Sequence, residues 1–161
     1  MEIDAVRATR DFSEAGSLNP NAHSATAINP DSELIPVTRA NGVLTSHVLP
    51  QGGLISGSSA IISLEGWTIE EMALEREAGI HIRWPRSPSA PGFHPDSASV
   101  YNDTKAEEKY QENLRKLDTV IDEARAFQKA HQSASDTLDV NLRGESLLPL
   151  VRNEIPAFVT V

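Results

Sequence analysis

The chain has 161 residues, 39% of them hydrophobic, with no cysteine and a formal net charge of −9. This length suits one ordinary domain or a portion of a larger one, and the lack of cysteine excludes disulfides, thiolate metal sites and cysteine nucleophiles. The acidic balance disfavours nucleic acid as a partner, and the sequence shows neither a membrane-spanning stretch of about 20 apolar residues nor a signal peptide.

The first 85 residues predict a polar arm, a short helix and three strands. Residues 1–31 are turn-rich and predict an ordered loop or extended arm outside the core. A helix is predicted over 32–41, where Ser32 offers an N-cap and Gly42 a C-terminal stop. Apolar and β-branched runs predict strands, and a capping-box pattern that starts at Thr68 predicts a helical turn between the last two. The predicted strands are Val43–Leu49, 60–64 and 79–85.

The second half predicts a loop and two helices. Residues 86–102 are rich in proline and serine, which is typical of a loop. Asp103 or Thr104 then caps a predicted helix over 104–132, whose apolar residues recur every three or four positions and line one face. After a polar link, a shorter helix is predicted over 145–153. The apolar face of the long helix consists of Tyr110, Leu114, Leu117, Ile121 and Ala124.

The last hydrophobic run, Ile155–Val161, predicts a strand that is buried on both faces. Together with the preceding order of strands and helices, this run predicts an α/β fold with parallel strand pairing. A terminal buried strand without a covering helix is unusual for a complete domain.

A glycine-rich segment between two predicted strands is the strongest candidate for a binding site. Glycines allow a ligand to approach the backbone, and loops at the carboxyl ends of strands hold ligands in α/β sheets. A tight turn into a hairpin explains the same residues, and both interpretations stay open. The glycine spacing matches neither of the common phosphate-binding fingerprints. The candidate residues are Gln51, Gly52, Gly53, Ser56, Gly57 and Ser58.

The five histidines are spaced so that no two form a chelating pair on one helix or strand. His47 lies in a predicted strand whose alternation can direct it toward a barrel interior, although a hydrogen-bonded core histidine is the simpler interpretation. The paired acids Glu70 and Glu71 lie at a predicted helix start, where the helix dipole favours them. The residues themselves therefore assign no catalytic group and no metal ligand.

Four long runs resemble the metal-dependent amidohydrolase superfamily, in its imidazolonepropionase-like group. They are Asn29–Val43, Pro50–Ala60, Gly66–Met72 and Leu147–Val159, and the resemblance covers nearly the whole chain. Members of this family fold as a (β/α)8 barrel beside a small β-sandwich. The resemblance therefore implies that this chain is an internal portion of a longer protein.

The fold class implied by the resemblance is α/β, a partial (β/α)8 TIM-type barrel with a hairpin excursion over 54–85 after an early barrel strand. The whole chain, 1–161, then forms one partial barrel domain. Its implied parts are a polar arm (1–31), a helix, barrel strand and excursion (32–85), a proline- and serine-rich loop (86–102), and helices with a final strand (103–161).

The resemblance also implies that the family's metal ligands lie outside this chain. The His-x-His of the first barrel strand would precede Met1, and a further His and Asp would follow Val161. Relatives commonly have a histidine where Thr160 stands, and a hydroxyl is a weaker Zn²⁺ ligand than an imidazole. No cofactor is expected in this chain, whereas Zn²⁺ or another divalent metal is implied for full-length relatives.

The function implied by the resemblance is that of a segment of an amidohydrolase, which cleaves amide or cyclic-amide C–N bonds. Gln51–Ser58 would shape the site of a small-molecule amide, and the chain alone would be inactive. The alternative is a non-catalytic barrel remnant that associates with a separately encoded chain. Unpaired strand edges predict self-association or pairing with the missing half of the barrel. Neither nucleic acid nor membrane is an expected partner, and localisation is open because full-length relatives are often exported.

Overall fold

The computed structural model of the chain describes residues 16–88, 101–133 and 141–161. Predictions that concern 1–15, 89–100 and 134–140 lie outside these described residues. None of the described helices is both long enough and apolar enough to cross a membrane. The elements are a 3-10 helix (Ser24–Ala27), α1 (Leu34–Ala40), β1 (Thr45–Val48), β2 (Ile55–Ser63), α2 (Ile69–Met72), β3 (Ala73–Arg83), α3 (Tyr101–Ser133), α4 (Leu142–Val151) and β4 (Ala157–Thr160).

The four strands form one curled, half-barrel sheet in the order β1-β2-β3-β4. β1 and β2 pair antiparallel, as do β2 and β3, whereas β3 and β4 pair parallel. The predicted parallel pairing is therefore correct for the last pair and wrong for the first two. The connections explain this result, because short turns join antiparallel neighbours, whereas a parallel pair needs a long crossover, which α3 and α4 supply.

The β2–β3 hairpin forms the centre of the sheet. This corrects the expectation, implied by the resemblance, that it is an excursion from a barrel strand. Both strands are longer than the predicted 60–64 and 79–85. The first half of β2 consists mainly of small polar residues, so it lacks the apolar signal from which the strand was predicted. Register shifts interrupt the β2–β3 ladder near Gly57 and again after Ser59. Such bulges bend a strand and increase its twist, which is consistent with the curled shape of the sheet.

One hydrophobic cluster holds the sheet against α3 and α4. Ile55 of β2 and Ile80 of β3 are almost completely buried there, and Leu117 and Ala124 of α3 cover them together with Leu147 of α4. Full burial of one large aliphatic side chain contributes about 1.5–3 kcal/mol. This cluster therefore fixes which face of the sheet the helices cover.

The predictions of α3 and α4 are largely confirmed, apart from the residues at which the two helices begin. α3 begins before Asp103 and Thr104, so neither residue is its N-cap. α4 begins earlier than predicted because Asn141 caps it, its side chain accepting a hydrogen bond from the backbone N–H of Gly144. A Cβ atom on Gly144 would lie 2.9 Å from Cγ of Phe127, so the glycine permits the close contact between α4 and α3.

A second hydrophobic cluster lies at the other end of the sheet. Ile62, Leu64 and Met72 are buried in it, and Ile35 of α1 packs against them. The predicted capping pattern is confirmed at α2, where the Thr68 hydroxyl accepts a hydrogen bond from the backbone N–H of Glu71. This cluster positions α1 and α2 at the end of the sheet where β2 pairs with β1 and the chain turns into β3.

The described part of the arm packs onto the sheet, which corrects the prediction that it lies outside the core. Leu18 and His23 form isolated parallel bridges to the first half of β2, which extends beyond its pairing with β1. The arm thus occupies a strand edge that would otherwise be open, and Pro20, Ser24 and Ala25 become buried.

The final strand is exposed, which corrects the prediction that it is buried on both faces. In β4, Phe158 is half-buried, whereas Val159 is 54% exposed. Among the described residues, β4 pairs only with β3 and has no neighbour along its other edge. The apolar composition of Ile155–Val161 therefore belongs to a strand whose outer edge is open in this structure.

Candidate functional site

Alternate residues of β3 point to opposite faces of the sheet, because side chains in a strand alternate. Ile80 and Ile82 belong to the cluster under α3 and α4, so His81 between them lies on the opposite face. We call this opposite side, which carries His47, Ser59, His81 and Phe158, the open face. It combines two imidazoles and a hydroxyl from three different strands.

A hydrogen-bonded chain crosses the open face from β1 to β3. Nε2 of His47 lies 2.9 Å from the Ser59 hydroxyl oxygen, and this hydroxyl donates to the backbone carbonyl of Gly79 at 3.1 Å. Since the only hydroxyl hydrogen is used toward Gly79, the His47 Nε2–H must donate to Ser59. In a neutral ring with this arrangement, Nδ1 is the acceptor nitrogen. Ser59 therefore orients His47 and is not a nucleophile activated by it.

Phe158 of β4 packs between the two open-face imidazoles. Its ring centroid lies 4.9 Å from that of His47 and 5.9 Å from that of His81. A Cβ atom on Gly79 would lie 2.6 Å from Cε2 of Phe158, so this position must be glycine for the ring to fit. The aromatic ring thereby brings residues of β1, β3 and β4 into one group.

Burial lowers the pKa of His81 below its usual value of 6.5. Positive charge on His47 and on Arg83 lowers the pKa of His81 further, because like charges disfavour protonation. His81 is therefore a neutral imidazole at neutral pH, able to donate through one ring nitrogen and accept through the other.

A hollow of about 460 Å³ opens beside His81 at the end of the open face. It brings together the candidate residues Gln51 and Ser56 with Thr160, the last residue of β4. The sequence analysis missed His81 and Arg83, although the alternation of apolar and polar residues over 79–85 could have placed both on one face. The lining residues are Leu49, Pro50, Gln51, Ser56, His81, Arg83, Thr160 and Val161.

The other candidates in the glycine-rich segment are not among the lining residues. Gly52 and Gly53 form the turn between β1 and β2 with positive φ angles of 104° and 68°. Gly57 and Ser58 lie within β2, so the prediction of a single loop over Gln51–Ser58 is wrong. The turn into a hairpin, which was the competing interpretation, describes this segment correctly.

Ser58 belongs to a separate contact with the arm. Its hydroxyl oxygen lies 2.9 Å from Nδ1 of His23, and a carboxylate oxygen of Glu77 lies 3.4 Å from the same nitrogen. A catalytic triad needs the hydroxyl and the carboxylate on opposite ring nitrogens. Since both approach Nδ1, this group holds the arm against the hairpin and does not resemble a hydrolase triad.

The described residues do not fit a metal ion by themselves. Within the described ranges, no group of three His, Asp or Glu side chains is arranged to hold a metal. His47 and His81 are two imidazoles on the open face, and the Thr160 hydroxyl is a poor third ligand. We therefore derive no chemical step through a metal from this chain.

A second hollow, of about 530 Å³, lies between the arm, α3 and α4. It has mixed charge, since Arg115, Lys116 and Arg143 line it together with Glu112 and Glu123. Lys116 and Glu112 pair with each other there. The carboxylates of this hollow compete with an anionic ligand for its cations, whereas no Asp or Glu lines the open-face hollow.

Comparison with known proteins identifies the fold and leaves the family open. No family model matches the sequence, and no curated protein matches it significantly. A similar solved structure is an amidohydrolase from Thermotoga maritima MSB8, with a TM-score of 0.73 and 17% sequence identity. The superposition covers 98% of this chain and 41% of the amidohydrolase chain. This chain therefore has the fold of about two fifths of that amidohydrolase.

Proposed function

We propose that this chain is a segment of a metal-dependent amidohydrolase of the (β/α)8 barrel type, within the imidazolonepropionase-like group. The observation that supports the proposal is the superposition of nearly the whole chain on part of an amidohydrolase. The open face corresponds in this proposal to the barrel interior, because helices cover the other face of the sheet. The substrate class is a small amide or cyclic amide whose C–N bond is hydrolysed.

In the proposed function, the residues of this chain shape and orient the substrate. The His47 ring is held by Ser59, and His81 supplies a neutral imidazole next to the hollow. Metal ligands are expected from other barrel strands, since the described residues supply no set of three. We accordingly expect the chain alone to be inactive toward amides.

The coding DNA on both sides of this reading frame tests the proposal. A His-x-His motif upstream and strands with His and Asp downstream would support it, and the complete reading frame should then hydrolyse amides. Flanking DNA that encodes neither would contradict it. The expectation of inactivity has its own test: stoichiometric Zn²⁺ retained by the purified chain after dialysis, with measurable amide hydrolysis, would overturn that expectation.

The open edge of β4 favours a second candidate, a non-catalytic barrel remnant that associates with a separately encoded chain. Val159 and Val161 are exposed beside backbone groups that have no strand neighbour among the described residues. Such an edge pairs readily with another strand. The test is the mass of the purified chain by light scattering, with and without the product of any neighbouring gene that encodes barrel strands. A chain that stays monomeric and does not bind such a product would contradict this candidate.

A further inference from the structure

The hollow on the open face differs in charge from the rest of this acidic protein. The whole chain has a net charge of −9, yet the eight residues that line the hollow include Arg83 and no Asp or Glu. Arg83 therefore carries the only formal side-chain charge among the residues that line the hollow. Clefts with one sign of charge attract ligands of the opposite sign.

Arg83 makes no ion pair with another described residue. Several other arginines do: Arg39, Arg76, Arg125 and Arg152 each lie within 4.0 Å of an Asp or Glu oxygen. A guanidinium group matches a carboxylate with two parallel hydrogen bonds, so an unpaired arginine in a hollow is suited to an anionic ligand.

Three further polar side chains of the hollow are free to bind. Neither the hydroxyls of Ser56 and Thr160 nor the side-chain amide of Gln51 forms a hydrogen bond with another described residue. Ser56 is 97% buried by its surroundings, with an exposed fraction of only 3%. No buried side-chain polar atom among the described residues lacks a hydrogen-bond partner, so the unbonded Ser56 hydroxyl is accessible from the hollow, where a ligand can accept its hydrogen.

We propose that this hollow binds the carboxylate group of a small-molecule ligand, with Arg83 as the charged anchor and Ser56, Thr160 and Gln51 as hydrogen-bond donors. The inference rests on the proposed function in one respect, namely that the carboxylate belongs to the amide substrate. A volume of about 460 Å³ suits a ligand of the size of an N-acyl amino acid. A ligand held at Arg83 lies beside His81, which also lines the hollow.

Trp84 provides a reporter for this binding. It follows Arg83, and its backbone N–H donates to the carbonyl of Thr160 at 2.7 Å. The chain has two tryptophans, so the substitution Trp67→Phe leaves Trp84 as the only one. Its fluorescence can be titrated at pH 7.5 and low salt with N-acetylglycine and with the uncharged N-acetylglycinamide.

We expect N-acetylglycine to bind about tenfold more tightly than N-acetylglycinamide, which corresponds to one strong charged hydrogen-bond pair. Arg83→Gln should remove this preference, and Arg83→Lys should keep part of it. Arg86→Gln is the matched control, because Arg86 is exposed nearby but does not line the hollow. Circular dichroism of each variant checks that the fold is retained.

The possible results separate the carboxylate anchor from the amide function. Three results would overturn the carboxylate anchor: equal affinity for the two compounds, a preference that survives Arg83→Gln, or no binding of either compound. The proposed amidohydrolase function would still be tested separately by the flanking coding DNA. Acetate that binds as tightly as N-acetylglycine would support the anchor and count against an amide substrate in this hollow.

Discussion

On the face covered by α3 and α4, the sheet presents Ile55, Ile80 and Ile82, whereas the open face presents His47, Ser59 and His81. The same strands supply both sets through the alternation of their side chains. The covered face obtains its stability from buried apolar surface. On the open face, the groups nearest the centre of the sheet satisfy one another with hydrogen bonds, and those in the hollow remain available. The comparison separates residues that hold the fold from residues that can bind a ligand.

The largest expected effect comes from two neighbouring residues on opposite faces. Ile80→Ala removes a side chain that is 1% exposed and should lower the free energy of unfolding by about 2–5 kcal/mol. His81→Asn, one position along β3, should cost less than half as much, because it leaves the apolar cluster intact. Urea denaturation followed by circular dichroism measures both. Equal losses would contradict the division of roles between the faces.

The second prediction concerns the contact between β3 and β4. Gly79→Ala would place a Cβ atom 2.6 Å from both Phe158 Cε2 and the carbonyl oxygen of Pro156, and should cost about 1–3 kcal/mol through overpacking. Hydrogen exchange should then accelerate at the N–H of Ile80, which donates to Pro156. Exchange at Ile62, in the β1–β2 part of the sheet, serves as the control. Unchanged exchange at Ile80 would show that β4 is not held in this way.

A smaller loss is expected when the orientation of His47 is released. Ser59→Ala removes the acceptor of the His47 Nε2–H and one partner of the Gly79 carbonyl, and should cost about 1 kcal/mol. Nitrogen chemical shifts of the ring should show the tautomer with hydrogen on Nε2 in the unsubstituted chain and a mixture in the variant. Ser63→Ala on the same strand should leave the ring unchanged. A ring protonated only on Nδ1 in the unsubstituted chain would refute the assignment.

The smallest effect is the pH dependence that His81 contributes. Its pKa in the folded chain is lowered by burial and by His47 and Arg83, so the unfolded chain binds more protons than the folded one below the usual pKa of 6.5. This contribution to stability is complete above pH 6.5 and is lost as the pH falls below it. His81→Asn should reduce the slope of unfolding free energy against pH between 7.5 and 5.5. An unchanged slope would show that His81 titrates normally.

Local patterns in the sequence were sufficient to predict most helices and the existence of each strand. The apolar stripe of α3 is confirmed at Leu117 and Ala124, and the cap of α2 at Thr68. These features depend on neighbours three or four residues away, which a sequence pattern contains. The hydrophobic run at Ile155–Val161 misled the burial prediction, because apolar composition does not reveal whether a strand edge is covered.

The site was harder to predict, because it depends on contacts between distant parts of the chain. Gln51 and Ser56 were candidates, but their relation to Arg83 and Thr160 follows from the antiparallel hairpin and the parallel β3–β4 pair. The wrong pairing prediction concealed this relation. For His47 the sequence left open a position facing a barrel interior and a hydrogen-bonded core position, and its partner Ser59 was not considered, since twelve residues separate them.

The central claim is that the open face binds the ligand and the helix-covered side holds the fold. Amide chemical shifts of the ¹⁵N-labelled chain, titrated with N-acetylglycine, test this claim most directly, because they report on both hollows at once. The account predicts changes at Ser56, His81, Arg83 and Thr160, with none at the second hollow around Thr119 and Gly144. Changes confined to the second hollow, or none at either, would contradict it.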